Sequence, residues 1–212
     1  MRLSSASRAD RGDTIIEVIF AIVIFSFVAI SSLAIMNQGI ATGEKALEIT
    51  LVRQQINAQA EALRFIHESR VVTPGSTSAS VWNSLVTLQS ENSTGYGQAS
   101  ASPYGVEGSA CSIPSGSNYK PFILNARTAQ IWSGAPVVSA DADEGQLPYP
   151  QVVYNHDDGS VSTAYGMWIE SVPSRSATQK AFVDFHIRAC WDAPGSAVPM
   201  TLGTIVRLYD PR

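Results

Sequence analysis

The sequence predicts an α+β fold: a long N-terminal helix, about residues 14 to 69, whose second half packs on a C-terminal antiparallel β-sheet. Three observations predict it. No proline interrupts the chain before Pro74, and apolar residues first dominate a long run and then recur at helical spacing. Beyond Pro74, short β-prone runs are separated by Gly, Ser and Pro. The C-terminal part then alternates apolar and polar side chains with a period of two, the mark of strands with one buried face.

The first part of the helix is of membrane length. Val18 to Ile30 is an apolar run, and Glu17 is the only charged residue between Ile15 and Met36. Such a segment is long enough to cross a hydrocarbon core of about 30 Å. No lysine or arginine lies within one helical turn to pair with Glu17. An ionised side chain in or beside such a segment costs a few kcal/mol on insertion scales and is tolerated mainly where a partner or a function compensates it. Residues 1–12 hold Arg2, Arg8 and Arg11 against Asp10, a net of +2, so the formal charge of −4 becomes −6 without them. By the positive-inside rule these arginines keep the N-terminus cytoplasmic and send the rest outward. A mildly acidic chain has no broad basic face for nucleic acid.

Gly12, Asp13, Thr14 and Glu17, set between a short basic leader and a long apolar helix, resemble the processing site of a type IV prepilin. The resemblance implies cleavage between Gly12 and Asp13 by a membrane prepilin peptidase, and usually methylation of the new N-terminus. It places Glu17 at the fifth mature position, where the family's carboxylate meets the N-terminal amine of a neighbouring subunit. An unpaired carboxylate in low dielectric is costly, and an ammonium partner removes much of that cost. Asp13 stands where many members carry an apolar or aromatic residue, and Ala34 where many carry a helix-kinking proline. Two other readings of the segment remain: a secretory signal cut near Ser32-Leu33-Ala34, or an unprocessed membrane anchor. Cys190-Trp191-Asp192 and Met200 to Tyr209 are also similar to pilin-like proteins of small candidate-phylum bacteria.

On this reading residues 1–12 are the leader, 13–37 the transmembrane or filament-core half of the helix, and 38–70 its amphipathic half. Residues 71–212 form an extracellular β-rich domain. Ile49, Val52, Ile56, Ala60, Leu63 and Ile66 form the apolar stripe of the second half. At 1.5 Å per residue a helix from 14 to 69 is roughly 80 Å long. Gly39 and Gly43 each weaken a helix interior by up to about 1 kcal/mol, so melting or bending is expected there.

In the remainder, Val81 to Leu88 reads as a β-like run that joins the core, and 89–118, rich in Ser, Gly, Asn and Ala, as a loop. Gln151–Asn155 and Val161–Ile169 flank Asp158-Gly159, a hairpin signal. Ala181 to Trp191 and Thr201 to Tyr209 are the last two strands of an antiparallel meander. Cys111 and Cys190 are the only cysteines; in an exported chain an even pair reads as a disulfide, the alternative being two separate thiols.

Catalytic signals are weak. His67, His156 and His186 fall on a helix end, a turn and a strand, with no hydrolase, metalloprotease or phosphate-loop pattern around them. Asp141, Asp143 and Glu144, and separately Asp157 and Asp158, lack EF-hand spacing and read as solvated loop acids. Asn92-Ser93-Thr94 matches a glycosylation sequon. The sequence is therefore read as a non-enzymatic structural subunit without cofactor, a major or minor pilin. It starts in the cytoplasmic membrane and ends in an extracellular filament. The expected partners are copies of itself, the prepilin peptidase, the pilus assembly platform, the membrane and an unidentified host or surface ligand. Adhesion, twitching motility and DNA uptake all suit such a filament. The alternatives are a pseudopilin of a secretion or competence system, or a membrane-anchored extracellular binding domain.

Overall fold

A computed structural model of the chain describes residues 15–88, 105–107, 110–112, 120–133, 149–173, 182–194, 196 and 198–209. The α+β layout expected from the sequence is present. Helix α1 spans Ile15–Val72, and a β-region follows it. The chain divides into two units, residues 1–43 and 44–212.

In the first unit α1 is apolar on every side. Its hydroxyls turn inward on the helix itself: Ser26, Ser31, Ser32 and Thr42 each donate to the carbonyl four residues back, at 2.8–2.9 Å. Helical structure continues through Gly39 and Gly43, so the melting expected there does not occur. Glycine lowers helix stability at one position, and the good helix formers on either side outweigh two such losses.

In the second unit α1 is amphipathic, with Val52, Ile56, Ala60, Leu63 and Ile66 buried as the spacing predicts. The helix ends three residues later than expected, at Val72, just before Pro74 and a left-handed Gly75. Helix α2 (Thr77–Thr87) replaces the β-like run expected over 81–88. Ser76 caps it, its side chain accepting the Ala79 N–H. Val81, Trp82, Leu85 and Val86 fall on one helical face, whereas a strand would have put polar Asn83 beside Val81 and Leu85.

Strands β1 (Gly105–Glu107) and β2 (Ala110–Ser112) pair as a hairpin inside the segment expected to be loop. Strands β3 (Ile123–Leu124) and β4 (Ile131–Trp132) form a second hairpin, and β5 (Gln151–Tyr154) and β6 (Val161–Tyr165) a third, the one signalled by Asp158-Gly159. The main sheet is antiparallel, in the order β7 (Met167–Pro173), β8 (Phe182–Trp191), β9 (Met200–Tyr209).

The single strand expected over 161–169 is thus two, divided at Gly166. Its φ of 53° is left-handed, and a Cβ there would stand 2.4 Å from the Cys190 carbonyl oxygen. Only glycine allows the chain to leave one hairpin and enter the main sheet at this point.

One face of the main sheet, including Ile169, Phe185, Ile187, Ala189 and Val206, shares a core with Val52, Ile56, Leu63 and Ile66 of α1. Burying each such aliphatic or aromatic side chain contributes roughly 1.5–3 kcal/mol. Polar clasps fix the register of helix on sheet. Gln59 donates to the Leu124 carbonyl (2.8 Å) and accepts the Leu124 N–H (2.9 Å), and Trp191 Nε1 donates to the buried Glu48 carboxylate (2.9 Å). Trp82 of α2 packs edge-on to both Phe185 and His67.

Candidate functional site: the apolar end of the first helix

Sixteen large apolar side chains between Ile15 and Ile40 are exposed. No charged residue occurs from Val18 to Gly43. This helix is long and apolar enough to cross a membrane. A helix apolar all round is stable when it is surrounded by hydrocarbon or by other helices. The back-bonded serines suit either setting, because their hydroxyls are already satisfied within the helix.

Glu17 lies in the first turn of α1 and is exposed. Its carboxylate interacts favourably with the helix dipole there, typically by 0.3–1 kcal/mol. A charged side chain costs roughly 2.5–3.5 kcal/mol at the centre of a membrane segment and less near its end, so the dipole offsets only part of the cost once this turn is drawn into hydrocarbon. On a helical wheel Glu17 shares its face with Ile24, Val28 and Ile35, a stripe that carries no other polar group able to compensate the charge. Gly12, Asp13 and Thr14, the other residues of the processing motif, lie outside the described residues, as do Asn92, Asp141, Asp143 and Glu144.

The other residues singled out in the sequence fall in the second unit. Cys111 of β2 and Cys190 of β8 form a disulfide, Cα–Cα 5.8 Å, that ties the short hairpin to the main sheet. The three histidines are not brought together. His67 bonds the Tyr209 carbonyl through Nε2 (2.8 Å), His156 is exposed in a hairpin tip, and His186 is half-buried on β8. Burial and the neighbouring Arg188 hold the His186 pKa below its usual value, against the opposing pull of Asp184 and Glu170. Asp158 has its pKa lowered by hydrogen bonds from the Ser160 side chain and backbone. Arg207 has its pKa raised by a bidentate pairing with Asp184, both contacts 2.8 Å. Among the described residues no group of three His, Cys, Asp or Glu could hold a metal ion.

Sequence reasoning missed the polar row on the second face of the main sheet. Trp168, Glu170 and Arg188 are buried there, and Trp168 Nε1 donates to Glu170 (2.9 Å). The alternation along β8 pointed to a wetter face. The near-complete burial of Arg188 and Cys190 shows that face covered towards the strand's C-terminal end. The disulfide was the available signal, because it brings β2 onto this face at Cys190. The chain matches no known protein-family model, no curated protein and no solved structure, so a functional reading rests on its own residues.

Proposed function

We propose that this chain is a structural subunit of a type IV filament, held in the cytoplasmic membrane by α1 and assembled through it. The observation that carries the reading is an all-round apolar helix end bearing one carboxylate, Glu17, in its first turn. In the membrane the apolar surface is solvated by lipid; in the filament it is covered by the same helix of neighbouring subunits. The sixteen exposed side chains are the surface that makes that exchange. Glu17 distinguishes this reading from simple anchoring, since an anchor gains nothing from a buried charge. An N-terminal ammonium, freed on a neighbour by cleavage after Gly12, pairs with it and offsets the cost. Thr14, between the cleavage point and Glu17, belongs to the same assembly segment. The disulfide-tied second unit is then the part displayed outside.

Glu17→Ala tests the proposal. The variant is expected to reach the membrane at the normal level with its Cys111–Cys190 bond formed, while its amount in sheared surface filaments falls at least tenfold, about 1.4 kcal/mol or more of lost assembly free energy. Equal filament incorporation by the variant would refute the assembly role and leave a membrane-anchored domain.

A further inference from the structure

Two hairpin tips share one design. In the β3–β4 tip the Asn125 N–H donates to the Gln130 carbonyl (2.8 Å), the Ala129 N–H to the Asn125 carbonyl (2.7 Å) and the Arg127 N–H to Asn125 Oδ1 (3.0 Å). In the β5–β6 tip Asn155 N–H donates to Ser160 (2.8 Å), Gly159 N–H to Asn155 (3.0 Å) and Asp157 N–H to Asn155 Oδ1 (3.1 Å). The fifth residue of each tip is left-handed, Ala129 at φ 53° and Gly159 at φ 67°. The tips are also locked to each other. Asn125 Nδ2 donates to the Gly159 carbonyl (3.0 Å), Tyr154 Oη accepts the Ala126 N–H (3.2 Å), and the Arg127 guanidinium lies 4.6 Å over the Tyr154 ring.

Between the tips is a half-open cavity of about 180 Å³. Thr128, Gln130 and half-buried Trp132 wall one side of it, and Asp158, Ser160 and Val161 the other. Its size is below the roughly 300–1,000 Å³ of sites for drug-sized ligands, which suits one ring of a ligand. Among the described residues no lysine or arginine lines it, which disfavours anions. Its single carboxylate is held by the Ser160 N–H and Oγ, both on Oδ1 (2.9 and 2.7 Å), so Oδ2 remains to accept from a ligand. Among the described residues none is hydrogen-bonded to the Thr128 hydroxyl or the Gln130 side-chain amide, and both side chains are exposed at the cavity. The Trp132 indole and the Val161 side chain offer apolar surface for ring C–H groups, while the carboxylate, amide and hydroxyl suit a ring's hydroxyls.

Ala129 strengthens the case. A non-glycine residue in the left-handed region costs roughly 1–2 kcal/mol, and here it sits between two lining residues, Thr128 and Gln130. Walls already fixed by cross-tip bonds spare a ligand the cost of ordering them.

We propose that this cavity binds a single neutral sugar ring. The inference does not depend on filament assembly: a chain that binds sugar but never enters a filament would keep it, and the Glu17 experiment reads the other property. The test uses the full chain in a sugar-free detergent, titrated with methyl glycosides of glucose, galactose, mannose, N-acetylglucosamine and N-acetylgalactosamine. Binding is followed by saturation-transfer NMR and tryptophan fluorescence. At least one glycoside is expected to bind saturably, with Kd in the millimolar range. Trp132→Ala and Asp158→Asn are each expected to weaken it at least tenfold, and Asp157→Asn, outside the cavity, to leave it unchanged. Asparagine can still accept from Ser160, so D158N keeps the turn, and Trp132→Phe serves should the alanine variant unfold. Saturation by no member of the panel, or undiminished binding by the Trp132 and Asp158 variants, would overturn the proposal.

Discussion

Gly159 and Gly166 both lie in the left-handed region, but a Cβ would meet different surroundings at each. At Gly159 the nearest group is Arg127 Nη1 at 3.9 Å, an ordinary contact, so Gly159→Ala should cost only the backbone term, about 1 kcal/mol. At Gly166 the Cβ would be 2.4 Å from the Cys190 carbonyl oxygen, which cannot swing aside because the Cys190 N–H donates to the Gly166 carbonyl at 2.8 Å and holds the two backbones together. Gly166→Ala should therefore cost about 3 kcal/mol or more. Chemical denaturation of the two variants checks the difference, and equal costs would contradict it. His186 gives the chain a pH dependence. Its folded pKa is depressed, so the unfolded chain binds the proton more readily, and this group's contribution is complete above the ordinary histidine value. Stability should fall as pH drops through that value and level off below the folded one. His186→Gln should flatten the melting temperature between about pH 7.5 and 5. At this scale the sequence showed Glu17 and the cysteine pair, since charge in an apolar run and cysteine count are local facts. It did not show the Gln59 clasp, whose partners are backbone groups of a residue 65 positions away.

Among the elements, the second half of α1, β8 and β9 were legible because each keeps one hydrophobic period for about ten residues or more, and the first half of α1 because it is apolar all round. Helix α2 was not. The stretch from Val81 to Leu88 is short and apolar enough to read as a β-like run, and tertiary burial of Trp82 and Leu85 on one helical face decides the conformation. The division at Gly166 was hidden for a related reason, since alternation continues on both sides of it. The two glycines of α1 allow a direct test of how the helix is built. A Cβ at Gly39 or Gly43 meets nothing within 4 Å, and both residues are helical. Gly39→Ala and Gly43→Ala should each stabilise this stretch by about 1 kcal/mol, seen as slower amide exchange over residues 37–45. Faster exchange would mean that another conformation is required there. The cavity between the hairpin tips was half legible: Asp158-Gly159 marked one tip, while the other, with alanine in the glycine position, carried no signal.

For the whole molecule, one covalent bond and one apolar surface dominate. The disulfide joins residues 79 apart, and the chain-entropy model assigns such a loop about 4.5 kcal/mol. Cys111→Ser with Cys190→Ser should lower the melting temperature by about 10–15 °C, measured on the full chain in detergent. A shift of a degree or two would show that the β1–β2 hairpin holds its place without the bond. The apolar half of α1 adds nothing to that stability, for its side chains are exposed, and its energy is realised only in lipid or against other helices. This is why the architecture could be read from the sequence while the identity of what covers the helix could not: the covering surface belongs to other molecules. Processing and assembly through this helix, as proposed, leave a direct trace in the mature N-terminus of sheared cell-surface material, which mass spectrometry reads. A first residue of Asp13, modified or not, is expected in filaments. A first residue of Ile35, or an intact Met1 confined to the membrane fraction, would contradict it.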